Sequence, residues 1–122
     1  MANAINWFEI PATNFQRAKD FYSKLMDTEL PVEEIMGNQM AFFNTDNGQV
    51  GGAVCTGEGY IPSAEGTVPY LNGGEDLEPM LNRVEGAGGT IVLPKTKISD
   101  EVGYMALFLD TEGNKIALHS PK

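Results

Sequence analysis

The chain has 122 residues, of which 42% are hydrophobic and 20% charged, a composition that supports one folded domain and excludes a disordered chain. Its 8 basic and 17 acidic residues leave a formal net charge of -9, which argues against nucleic acid or an anionic membrane surface as partner. With a single cysteine (Cys55), no basic, apolar leader at Met1–Trp7 and no apolar run of about 20 residues, the expectation is a soluble cytoplasmic protein without disulfides.

Ile5 to Ile10 alternates as a strand does, and Pro11 ends it. Thr13 is then placed to cap a helix, with Gln16 reaching back in a capping box. Phe15, Ala18, Tyr22 and Leu25 follow at helical spacing, and Phe21 and Met26 widen the apolar stripe. Three strands are predicted next, at about Glu29–Ile35, Gln39–Asn44 and Val50–Thr56. Gly37-Asn38 and Asp46-Asn47-Gly48 are the turns between them.

After a Gly- and Pro-bearing linker, Gly57 to Gly66, the same order returns. A strand at Thr67–Asn72 precedes a helix capped by Asp76, with Pro79 in its first turn and Leu77, Met80, Leu81, Val84 and Ala87 directed inward. Gly88-Gly89 stops that helix. Strands are predicted at about Thr90–Leu93, Tyr104–Leu109 and Lys115–Ser120, with Asp110 to Asn114 as the last hairpin. Shifting the first half by 62 positions sets apolar residues on apolar residues: Phe15 on Leu77, Ala18 on Met80, Tyr22 on Val84, Leu30 on Val92.

The fold expected is therefore α+β: two tandem βαβββ modules, about 5–57 and 66–120, forming curved mixed sheets around a cavity in one domain, 1–122. Each helix can cover only one face of its sheet, so the other face needs the sister module or a second chain. A homodimer is the expectation.

Arg17-Ala18-Lys19-Asp20-Phe21-Tyr22 on the first helix, Gly88-Gly89 after the second, and Asp110-Thr111-Glu112-Gly113-Asn114-Lys115-Ile116 before the last strand carry a family resemblance. The chain resembles the vicinal oxygen chelate superfamily, which includes glyoxalase I, bleomycin-resistance proteins, fosfomycin-resistance enzymes and extradiol dioxygenases. It is most similar to small glyoxalase-like proteins that share Trp-Phe-Glu-Ile-Pro-Ala, Gly-Tyr-Ile-Pro-Ser and Pro-Lys-Thr. Metal-dependent members use inward-facing His, Gln or Glu on the first and last strand of each module. Carried over, those positions fall on Trp7, near Gly52, near Pro69 and on Ala117, none of which is a usual ligand. The resemblance thus implies no metal or other cofactor, and argues against glyoxalase I chemistry, which needs a metal Lewis acid.

Strand alternation nominates other residues for the cavity. Glu9 follows Trp7 by two, and His119 follows Ala117 by two, so a carboxylate and the one histidine are candidates for acid and base. Each has a plain alternative: Glu9 paired with a surface Lys or Arg, His119 exposed or hydrogen-bonded locally. Trp7, Phe42, Tyr60 and Tyr104 are candidates for a ligand wall, and each is also a packing residue. Cys55 reads as a small core residue, and Lys95 and Lys97 as loop charges that could attract an anion. Gly57-Glu58-Gly59 lacks the third glycine and helix of a dinucleotide loop, and Ser63, Ser99 and Ser120 have no triad spacing.

Two functions remain open. One is a metal-independent protein that binds a small organic ligand, as bleomycin-resistance proteins do. The other is a lyase, isomerase or dioxygenase-like enzyme using Glu9 and His119 as acid and base or as non-standard metal ligands. A degenerate module acting through its surface is a third possibility.

Overall fold

The structure, a computed structural model, describes residues 3–122; Met1 and Ala2, where the reading of the chain's start begins, lie outside the described residues. Its elements are β1 (Trp7–Pro11), α1 (Phe15–Leu25), β2 (Val32–Ile35), β3 (Asn38–Phe42), β4 (Gly51–Cys55), β5 (Tyr70–Asn72), α2 (Glu78–Arg83), β6 (Thr90–Ser99), β7 (Gly103–Leu109) and β8 (Lys115–Ser120). They form two four-stranded mixed sheets, ordered β1-β4-β3-β2 and β5-β8-β7-β6. In each, the first and last strands of a module run parallel and the others antiparallel. This is the expected pair of βαβββ modules.

Local differences have local causes. The first strand starts at Trp7, not Ile5, because its pairing with β4 begins with Trp7 opposite Gly51. Asn14, not Thr13, caps α1: its side chain accepts from the Arg17 N–H, while Gln16 donates to Asp20. Thr13 is drawn away because its own N–H and hydroxyl both donate to Glu112. Helix α2 has Leu77 at its N-cap with no side-chain bond, although Asp76 accepts from the Glu78 N–H. Strand β6 runs to Ser99, well past Leu93, because it is a sheet edge where Pro94 is carried within the register shift between Leu93 and Thr96.

The main core lies between the sheets, around the helices. Tyr22 of α1 meets Phe43 edge-on beside the first sheet, with ring centroids 5.3 Å apart, and Phe21 meets Phe108 of the second sheet at 5.8 Å. Ile10, Ala41 and Val54 from the first sheet and Ala106, Phe108, Ile116 and Leu118 from the second complete this core with Leu25, Leu77, Leu81 and Val84. Burial of each large apolar side chain contributes about 1.5–3 kcal/mol. Since strand residues alternate, the neighbours of these core residues point to the opposite sheet faces, and there Trp7 is 43% and Tyr70 55% exposed.

Candidate functional site

The outer face of the first sheet gathers most of the nominated residues. Register sets Trp7 beside Gly51, and Glu9 beside Ala53, which in turn faces Phe42. One row further on stand Pro11, Cys55 and Met40. Met40, Ala53 and Cys55 form a small buried cluster against which Phe42 and Tyr60 pack. Trp7 and Phe42 lie with centroids 6.0 Å apart at 55°.

Glu9 is the polar centre. Its carboxylate accepts from the Trp7 indole N–H at 3.3 Å and from the Tyr60 hydroxyl at 2.7 Å. Tyr60 belongs to the 57–66 linker, so this connection folds back over the strand it follows. The Glu9 hydrogen bond, with some desolvation and the nearby charge, pushes the Tyr60 phenol up to about 12. Burial, and then the charge and hydrogen bonding of Glu9, push the Cys55 thiol up to about 12 as well. A thiol held protonated is a poor nucleophile.

His119 is elsewhere. It stands on β8 of the second sheet between Asn72 and Met105, half-buried, with Nε2 2.6 Å from the Val102 carbonyl. That contact requires Nε2 to carry a proton, so Nδ1 is the acceptor of the neutral ring. Among the described residues no hydrogen bond or ion pair joins His119 to Glu9. His119 is thus hydrogen-bonded locally, on the other sheet from Glu9.

Tyr104 takes the packing role that the sequence also allowed it. It shares its face of β7 with Ala106 and Phe108, packs against the main core, and has Lys95 Nζ 4.8 Å from its ring centroid. It is therefore on the opposite side of its sheet from His119 and Ala117. Lys95 is paired with Asp76 at 2.9 Å and Lys97 with Asp100, so neither is a free anion site.

The family's metal positions can be placed by register. The first and last strands meet at Trp7 and Gly51 in one module and at Tyr70 and Ala117 in the other. Gly52 and Pro69 are each one residue out of step. A Cβ on Gly52 would come within 2.5 Å of Phe8, on the core side, whereas one on Gly51 would sit 3.5 Å from Trp7. Indole, hydrogen, phenol and methyl do not form a divalent-metal donor set. Among the described residues no group of three or more His, Cys, Asp or Glu side chains is placed to hold a metal.

An open groove of about 740 Å³ runs between the modules, past Phe8, Phe43, Met26, Tyr70, Asn72 and Met80. It contains none of Glu9, Trp7, Phe42, Tyr60 or His119.

The features missed by sequence reasoning are the pairing of Gly51 with Trp7 and the environment of Cys55. Alternation along β1 pointed to Glu9 and Trp7, but their neighbours on β3 and β4 are set by cross-strand register, which no local pattern encodes.

Comparisons with known proteins agree with this architecture. The chain is 21% identical to a hypothetical protein SA1046 from S. aureus, with 98% of each chain covered and a TM-score of 0.65. It is 18% identical to TnmS3, an antibiotic-binding protein from Streptomyces sp. CB03234, covering 100% of this chain and 99% of that one at a TM-score of 0.62. A glyoxalase/bleomycin resistance protein/dioxygenase family enzyme from Burkholderia phytofirmans PsJN is 14% identical, with 96% and 98% covered and a TM-score of 0.67. At these identities the likeness is one of fold. No curated protein matches the chain in sequence. The family model described as Glyoxalase/Bleomycin resistance protein/Dioxygenase superfamily matches residues 4–118, nearly the whole chain, and the chain belongs to that superfamily.

Proposed function

We propose that this protein binds a small organic molecule, without a metal, on the outer face of its first sheet. The observation that carries this reading is that Trp7 and Tyr60 both donate to Glu9, with Phe42 against Trp7, while Trp7 and Ala117, to which the resemblance carries metal ligands, pair with Gly51 and Tyr70. Apolar and aromatic walls around one fixed polar group are what small-molecule sites use. The resemblance in fold to TnmS3, an antibiotic-binding protein, is consistent with that reading.

A second copy of the chain completes the site. Trp7 at 43%, Tyr70 at 55% and Val92 at 50% exposed are large apolar groups left open to water by one chain, and pairing of sheets would cover such faces. Sedimentation velocity should then give a mass about twice 13.2 kDa; a monomer at working concentrations would refute the dimer.

Native mass spectrometry with metal analysis, before and after a chelator, tests the main reading. The expected result is a protein free of stoichiometric divalent metal, carrying an organic mass that survives chelation. A stoichiometric divalent ion whose removal abolishes ligand retention would overturn it.

A further inference from the structure

Glu9, exposed in the single chain, makes no ion pair among the described residues. Every ion pair there involves other carboxylates: Glu112, Glu29, Asp76 and Asp100. What surrounds Glu9 is aromatic, with Trp7 and Tyr60 donating to it and Phe42 against Trp7. Glu33, opposite Met40 in the β2–β3 pairing, places a second carboxylate on the same sheet face. The sequence from 25 to 82, which supplies Glu33, Phe42 and Tyr60 to this face, holds no Lys or Arg, although Asp27, Glu29, Glu33, Glu34, Asp46, Glu58, Glu65, Glu75, Asp76 and Glu78 all fall there.

These features select one kind of ligand. The faces of indole, phenol and phenyl rings carry negative quadrupole and attract cations. An unpaired carboxylate held in place by two neutral donors has lone pairs left for a charged donor. An anionic ligand would meet repulsion from Glu9, from the aromatic faces and from the overall charge of -9. A neutral ligand would use the walls but leave the carboxylate uncompensated as water is displaced.

We infer that the ligand of this site is an organic cation with a planar apolar part, its ammonium, amidinium or aromatic-ring cation set on Glu9 and its flat part against Trp7 and Phe42. The inference rests on the binding reading above and specifies its ligand class. Glu9 fixes the charge; Tyr60 and Trp7 are positioning residues for that carboxylate as well as walls.

Three bicyclic probes of matched size test it by calorimetric titration at about 0.15 M salt, where long-range attraction to the acidic surface is screened: N-methylquinolinium, 2-naphthol and 2-naphthalenesulfonate. N-methylquinolinium should bind at one saturable site per chain, about tenfold or more tighter than 2-naphthol, with the sulfonate weakest. Glu9→Gln, which can still accept from Tyr60, should remove that preference, whereas Glu85→Gln, the same charge change on an exposed residue of the other module, should not. Circular dichroism melting shows that the Gln variants are folded. Binding of 2-naphthol as tight as that of the cation, or a preference unchanged by Glu9→Gln, would overturn the cation inference and leave the binding reading standing. Saturable binding of none of the three would overturn both.

Discussion

The Glu112 carboxylate accepts from Arg17 Nε at 2.7 Å, joining the last hairpin of the second module to the first helix of the first. The same carboxylate accepts from the N–H groups of Thr13 and Asn14, each at 2.9 Å, and from the Thr13 hydroxyl. It thus serves the free donors at the start of α1, where negative charge is also favoured by the helix dipole. Nearby, Asn114 donates to the Pro11 carbonyl and accepts from the Ser63 N–H, so the hairpin also ties β1 and the linker. The module carrying Glu9 and Tyr60 is held in place by this hairpin.

Burial pulls the Glu112 pKa up, but hydrogen bonds from Arg17, Asn14 and Thr13 outweigh it and bring it down from 4.5 to about 2. A carboxyl depressed in the folded state stabilises above its unfolded pKa, and that stability is lost as pH falls through the folded value. Urea unfolding should therefore show a contribution that is full above about pH 4.5 and fades toward pH 2. Glu112→Gln should cost about 2 kcal/mol at pH 7 and flatten this part of the profile. An unchanged acid limb in the variant would show that Glu112 is not the group responsible.

Tyr22 is fully buried, and its hydroxyl donates to Asp110 Oδ2 at 2.6 Å. Burial, then the charge and hydrogen bonding of Asp110, raise the phenol well above its usual range. Tyr22→Phe should cost about 1–3 kcal/mol in chemical denaturation, since the buried Asp110 loses a donor. Tyr104→Phe, whose hydroxyl has no hydrogen bond among the described residues, should cost measurably less. Equal costs would refute the role assigned to the Tyr22–Asp110 contact.

Gly51 and Gly52 make a sharp test of register. A Cβ at Gly51 meets only ordinary contacts, at 3.4 Å from Thr45 and 3.5 Å from Trp7. At Gly52 it would approach both the Phe8 ring and the Phe8 carbonyl oxygen to 2.5 Å. Gly51→Ala should keep stability within about 1 kcal/mol and change ligand affinity through Trp7, while Gly52→Ala should destabilise by about 2 kcal/mol or more. Thermal melts of the two variants check this; the reverse order would mean the strand is one residue out of step.

Cys55 has no measurable exposure, and its thiol is held up near 12 by burial and by Glu9. Alkylation by iodoacetamide at pH 8 should be about a hundredfold slower in the native protein than in urea-unfolded chain, because little thiolate forms and access is closed. Glu9→Gln removes the nearby charge, lowers the thiol pKa and should increase the native rate. A native rate equal to that of the unfolded chain would contradict this placement.

Much of the architecture is written in local pattern. The Phe15, Ala18, Tyr22, Leu25 stripe required one apolar side of α1, and the two βαβββ halves follow from the order of their elements. Trp7 and Glu9 were legible as neighbours on one strand face because side chains alternate along β1. What tertiary structure decided is which faces meet. Tyr104 was a candidate ligand wall and His119 a candidate acid or base, yet Ala106 and Phe108 carry Tyr104 into the core face while His119 turns to Val102 on the other face. Tyr60 joins Glu9 across 51 residues, and Glu112 joins Thr13 across 99. Periodicity is a property of one strand or helix, whereas such contacts depend on register and on how two modules pack, which only the folded chain specifies.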